Sequence, residues 1–319
     1  MQRAAHPPTA RALPAKNSRV TSSGSSRPGL GIALRILSGL LFAVMSLCVK
    51  LVSDAIPLGQ IVLFRSAFAI VPLIAFLIVR KEFPHGLATK RPVGHIIRSV
   101  VGATGMFTSF AAIARLPIAD ATLVGYTTPL ITTLLGGVLL GEALTRPKIS
   151  GLALGVAGLL VLTLPQMLGT GVDATRLAGY GFGLLTSVFS AVAYIQVRRL
   201  GTTESPGTIA FYFALVASVA ALPMALSAWV TPTPYQFGVL VVAGLVGGLA
   251  HIAMTLAFRY AEVSLLAPFE YLALLWAVLI DLTVFGVPVG PTFVMALPLL
   301  LAGAAVSSRR GRLRGNGRG

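Results

Sequence analysis

The chain has 319 residues, 55% of them hydrophobic and only 11% charged, with a net charge of +16 and a mean hydropathy of +0.87. A soluble domain of this size needs a mixed, charged surface, which this composition does not supply. In a soluble protein a pI of 11.2 would suggest nucleic-acid binding, but the basic residues here sit between apolar stretches, which argues against it.

Residues 1–30 are polar and rich in Ser, Pro, Arg and Ala, and read as a disordered cytoplasmic tail or as the product of an upstream start codon. The first apolar run is long enough to span and lacks a convincing small-residue cleavage site, unlike a cleavable signal peptide. About 20 mainly apolar residues cross the roughly 30 Å of a bilayer's hydrocarbon. By that measure ten spans are expected, near 31–53, 58–79, 94–115, 119–140, 149–167, 177–198, 207–229, 236–258, 263–285 and 290–307. The fold class is therefore an all-α integral membrane protein. With both ends in the cytoplasm, 21 of the 25 Lys and Arg fall on the cytoplasmic side. Lys50, Arg115 and Arg176 fall outside, and Arg65 lies within a span. The positive-inside rule thus accounts for the basicity and sets the orientation. Cys48, the only cysteine, sits in an apolar run and reads as an inert packing residue.

The two halves align at a constant shift of 144 residues over several spans. Gly39-Leu40-Leu41 matches Gly183-Leu184-Leu185, Ser46 matches Ser190, Arg115 falls on Arg259, and Tyr126 falls on Glu270. Each half has an odd number of spans, so the second must enter from the opposite side. This is the inverted repeat of many secondary transporters, with the substrate site near the midplane between halves. The expected organisation is a tail (1–30), a first five-helix repeat (31–167), a periplasmic linker (168–176), a second repeat (177–307) and a basic cytoplasmic tail (308–319).

Leu139-Leu140-Gly141-Glu142-Ala143-Leu144-Thr145, followed by Gly151, Gly155 and Gly158, resembles the EamA-type transporters of the drug/metabolite transporter superfamily. The stretch from Ile118 to Pro129 resembles the start of that family's fourth span, and Phe64-Arg65 the Phe-Arg of its second. The second half departs from the pattern, having Gly286 where the repeat places Glu142. The resemblance implies ten spans and secondary transport of small metabolites across the bacterial inner membrane. The first two spans look most like a branch that includes S-adenosylmethionine uptake systems.

Ionisable residues inside spans are functional candidates by default. Glu270, two residues after Pro268, is a candidate for both substrate binding and proton coupling, against the bland reading of a protonated structural acid. Asp281, eleven residues on, returns to nearly the same helix face ~16 Å away, or is simply solvated near the periplasmic end. Arg65 reads equally as an anion-binding fork or as the structural partner of an acid such as Asp281. His251, at a depth similar to Glu270, would complete a His–acid proton relay, or serve as packing. Tyr126, Tyr194, Tyr271 and Trp276 are expected as aromatic walls with polar tips around a metabolite, or as interhelical packing. Pro129 and Pro268 are expected as symmetry-related helix breaks. Lys50 and Arg98 read as anchors that snorkel to headgroups. Glu142 beside Arg146 reads as a cytoplasmic strut.

No Walker-type loop, zinc-ligand spacing or Gly-x-Ser-x-Gly elbow is present, so no cofactor or enzymatic activity is expected. Gly179-Tyr180-Gly181-Phe182-Gly183 opens an apolar span rather than following a strand, and is not a phosphate loop. The expected partners are a small-molecule substrate, membrane lipid and, at most, a second copy of the chain in a homodimer. A channel or non-transporting membrane scaffold, and a polytopic enzyme, are the rival classes.

Overall fold

The computed structural model describes residues 27–89, 91–140, 145–168, 173–201, 203–261 and 263–307. Among them are twelve α-helices: α1 (Pro28–Val52), α2 (Leu58–Val79), α3 (Pro92–Arg115), α4 (Ile118–Gly125), α5 (Thr128–Leu140), α6 (Arg146–Leu168), α7 (Ala174–Leu200), α8 (Pro206–Ser227), α9 (Pro234–Tyr260), α10 (Val263–Glu270), α11 (Leu272–Thr283) and α12 (Pro291–Ser307). Eight stretches are long and apolar enough to cross a membrane, with Leu272–Thr283 and Pro291–Ser307 as shorter apolar helices. The tails, the Gly141–Leu144 part of the family-like motif and most of the expected linker lie outside the described residues.

Local chemistry starts these helices where the sequence says it should. Proline, whose fixed φ suits a first turn that has no N–H partner, opens α1, α3, α8, α9 and α12. Asp173 accepts from the amides of Thr175 and Arg176 at the start of α7, and Thr233 and Gln236 form a capping box at α9.

The helices then pack by their small residues. On α8, Ala214, Ala217, Ala221 and Ala225 form a buried stripe, while Leu215, Val219, Leu222 and Leu226 face outward. Apolar surface outside and small residues inside is the arrangement lipid selects, because close backbone approach, not hydrophobicity, holds membrane helices together. Interhelical contacts run antiparallel in four pairs. α1 meets α9 with Gly31 against Ala261 and Ser38 bonded to the carbonyl of Ala250. α3 meets α7 with Gly94 against Leu200 and Gly105 against Phe189. α2 meets α8 with Gly59 against Ala225 and Gly207 against Leu77, and α6 meets α12 with Gly151 against Ser307 and Gly158 against Leu300. Connectivity puts Gly31, Gly94, Gly207 and Gly151 at one end of the bundle.

The tightest of these seams gives a direct test. A Cβ on Gly151 would lie 2.6 Å from the Ser307 amide nitrogen and 2.7 Å from the Gly303 carbonyl oxygen, both rigid backbone. Gly151→Val should therefore separate α6 from α12 and cost about 1–3 kcal/mol or more, read as a lower melting temperature in detergent. An unchanged melting temperature would mean the seam carries no such constraint.

Candidate functional site

Four polar side chains converge at one depth. Arg35 lies seven residues into α1, Glu270 seven into α10, Arg98 six into α3, and Tyr194 six from the end of α7. At 1.5 Å per residue each is ~9–11 Å from the same end of the bundle. Arg35 Nη2 is 2.7 Å from Glu270 Oε1, an ion pair with the arginine mostly buried and the carboxylate side chain 43% exposed. Tyr194 is 59% exposed, yet it lies within electrostatic range of Glu270, Arg35 and Arg98. The open space beside it is thus shared with charged groups, which suits water rather than lipid.

Two helix breaks bring backbone into this region. α4 and α5 are separated at Tyr126–Thr127, and α10 and α11 at Tyr271, so the breaks sit at positions related by the shift of 144. At the second break the Leu274 amide bonds to Tyr271 rather than to Glu270, which frees the Glu270 carbonyl. The Tyr126 hydroxyl donates to that carbonyl at 3.1 Å, and the Tyr126 and Tyr271 rings meet edge to face with centroids 5.5 Å apart. At the first break the Val124 carbonyl is not left free: it accepts from the Thr127 amide and hydroxyl, and Ser187 of α7 adds a longer contact at 3.3 Å. Freed backbone groups inside a membrane protein need substitutes such as the Tyr126 hydroxyl. The expected prolines flank the breaks rather than form them. Pro129 lies in the first turn of α5, and the second break falls three residues beyond Pro268.

A second group lies between α2, α3, α8 and α9. Arg65 is 3% exposed, and its Nη2 is 3.2 Å from His251 Nε2. A guanidinium only donates, so Nε2 accepts and His251 is neutral in this arrangement. Gly247 makes the room: a Cβ there would fall 3.2 Å from Arg65 Nε. Arg98 places its guanidinium 4.2 Å from the Phe213 ring centroid, and Phe213 also contacts His251 edge to face. The expected pairs Arg65–Asp281 and His251–Glu270 are not formed, because each partner is engaged elsewhere. Arg98 is no anchor reaching for headgroups; its Nε and Nη1 are buried.

Asp281 serves the opposite end. From α11 its carboxylate accepts from the Ile118 and Ala119 amides at 3.1 and 2.7 Å, capping α4 across the bundle. Lys50, also expected as an anchor, donates to the Ile113 and Leu116 carbonyls at the end of α3, at 2.8 and 2.6 Å. The corner at Pro117 is thus held by an anion on a helix N-terminus and a cation on a C-terminus, each matched to the helix dipole. Asp120 fixes α4 to α7 through Tyr180 and Arg176. These groups line a cavity of about 570 Å³ that also includes Phe285 and Phe293 and does not reach Glu270.

The structure therefore brings Glu270, Tyr126, Tyr271 and Tyr194 together, sets Arg65 and His251 beside them, and keeps Asp281 apart. Trp276 has a buried Nε1 without an acceptor among the described residues. Sequence reasoning missed Arg35, which counted as part of the tail's charge, and Arg98, which counted as loop charge. The available sign was their depth, six and seven residues inside helices opened by Pro92 and Pro28. Because Asp281 bonds two backbone amides, Asp281→Ala should lower stability by about 1–3 kcal/mol. Thermal unfolding of the purified protein would measure this, and an unchanged midpoint would remove the capping role.

Comparison with known proteins gives the family and the fold. The EamA-like transporter family matches at residues 29–164 and 177–309. The pseudopaline exporter of Pseudomonas aeruginosa is 32% identical over 251 residues, covering 77% of this chain and 84% of the relative. An S-adenosylmethionine uptake transporter of Rickettsia prowazekii is 25% identical over 246 residues, covering 75% and 81%. A solved crystal structure shares the fold at a TM-score of 0.62 and 23% identity, over 87% of this chain and 96% of its own. With two matched segments that fill most of its length and a bundle of membrane-crossing helices, this multi-pass membrane protein belongs to the EamA-like transporter family.

Proposed function

We propose that this protein is a secondary active transporter that carries a small amino-acid-like or amphiphilic metabolite across the bacterial inner membrane by alternating access. The carrier consists of ten spans in two inverted five-helix repeats, with both termini in the cytoplasm. The helix bounds support the repeat, since α1 to α6 recur as α7 to α12, including the broken pair in each half. The antiparallel packing of α2 on α8 and of α6 on α12 supports the inversion, because these are equivalent helices of the two halves. The substrate class draws on the relatives, one named for pseudopaline export and one for S-adenosylmethionine uptake.

The observation that carries the mechanism is the Arg35–Glu270 pair in an open space between the halves. A carboxylate there is stable while paired. Protonation removes its charge, releases Arg35 and frees α1 to move relative to α10. Loss of the proton restores the pair, so one proton per cycle couples the gradient to the rocking of the two halves. Tyr126 and Tyr271 hold the two breaks in contact and supply the aromatic wall, while neutral His251 positions Arg65.

Reconstitution into proteoliposomes tests this reading. Wild-type protein should show saturable counterflow of a metabolite drawn from a panel of amino acids, nucleoside-like metabolites and cofactors, and its rate should change with a pH gradient. Glu270→Gln should fold and still exchange substrate but lose the pH response. A variant that keeps the wild-type pH response would take Glu270 out of the coupling role.

A further inference from the structure

The membrane interior of this protein holds more positive charge than it neutralises. Arg35, Arg65 and Arg98 all lie within helices that cross the membrane, and Glu270 is already engaged by Arg35. Among the described residues, neither Arg65 nor Arg98 has a carboxylate within ion-pair distance. Arg65 is given a neutral histidine and a thioether, Met45 Sδ at 3.4 Å. Arg98 is given only an aromatic ring. Arginine stays charged under all ordinary conditions, so it cannot escape by losing a proton.

The arginines of this region also keep unmade donors. Among the described residues, Arg35 Nε, Arg98 Nε and Arg98 Nη1 are buried without partners, as is the neighbouring Ser99 hydroxyl, and the three guanidinium atoms can only donate. A buried donor left unmade costs the full desolvation of the group, more so when it is charged. What satisfies donors of this kind is an acceptor that carries negative charge, and a planar guanidinium matches a carboxylate or phosphate-type oxyanion in particular.

We infer that the transported metabolite is an anion that presents an oxyanion group to Arg98, with Arg65 supplying the second positive charge. The inference rests on the carrier reading above and names the substrate's chemistry. A cation would have to enter at a level where, among the described residues, the carboxylate present, Glu270, is already taken by Arg35. An oxyanion instead completes the donors and brings the interior near neutrality. Occluding the loaded site from water then costs less than occluding the empty one, which favours exchange over uncoupled return of the empty carrier.

The test uses the full chain in lipid nanodiscs, melted in chloride buffer with added citrate, glutamate, phosphate or choline. Wild type should gain a saturable rise in melting temperature from at least one of the three oxyanions and none from choline. Arg98→Gln should weaken that oxyanion's apparent affinity about ten- to hundredfold, as expected for losing a charge-assisted hydrogen bond. Arg98→Lys should retain part of it. The inference is overturned if no oxyanion moves the wild-type transition, or if Arg98→Gln binds as tightly as wild type. Saturable counterflow of a cation would defeat the anion assignment and leave the carrier standing; absence of saturable counterflow for every metabolite would defeat the carrier.

Discussion

A charge inside hydrocarbon must be matched by an opposite charge, a hydrogen bond or water, and this requirement organises the interior of the protein. The ion pair between Arg35 and Glu270 meets it by joining α1 to α10, one helix from each half, so a titratable contact sits on the joint between them. Arg65 meets it incompletely, with a neutral imidazole. Arg98 meets it least, with the face of Phe213. The gradient from matched to unmatched charge is what separates the joint from the place where a substrate would bind.

The two ends of the bundle are built on different terms. At the end near Pro117, charges are spent on backbone: Lys50 on the carbonyls of α3 and Asp281 on the amides of α4. Such contacts hold whether or not anything is bound. At the level of Glu270, charges face an open space and one another. The breaks at Tyr126–Thr127 and Tyr271 lie between the two regimes, each dividing a shorter helix from a longer one. Small residues let the rest of the bundle slide or tilt: Gly151, Gly155 and Gly303 at one seam, and Gly244 and Gly248 against α2 at another.

Much of this was legible in the sequence because its causes are local. Apolar length gave the helices, and the match of Tyr126 with Glu270 pointed to two positions that the structure places in contact. The partners of the charges were not legible, because pairing depends on which helices meet and at what height. Asp281 shares a helix face with Glu270 by periodicity, but it sits where α11 passes the start of α4, and two free amides claim it. Arg35 and Arg98 were hidden by their position after long basic stretches, where a count of loop charge absorbs them. The prolines at 129 and 268 marked the neighbourhood of the breaks but not their sites, since a chain can place the unpaired turn a few residues from the ring that removes the donor.

The central claim is a wet chamber at the level of Glu270 that opens to each side of the membrane in turn. Its most direct measurement is thiol labelling of Tyr194→Cys in a Cys48→Ala background, where the introduced thiol is the only one, using a membrane-impermeant reagent from each side. Labelling from both sides is expected, with the balance shifted by substrate or by a pH gradient. Labelling from one side alone, unmoved by either, or modification only by a lipid-soluble reagent, would contradict it.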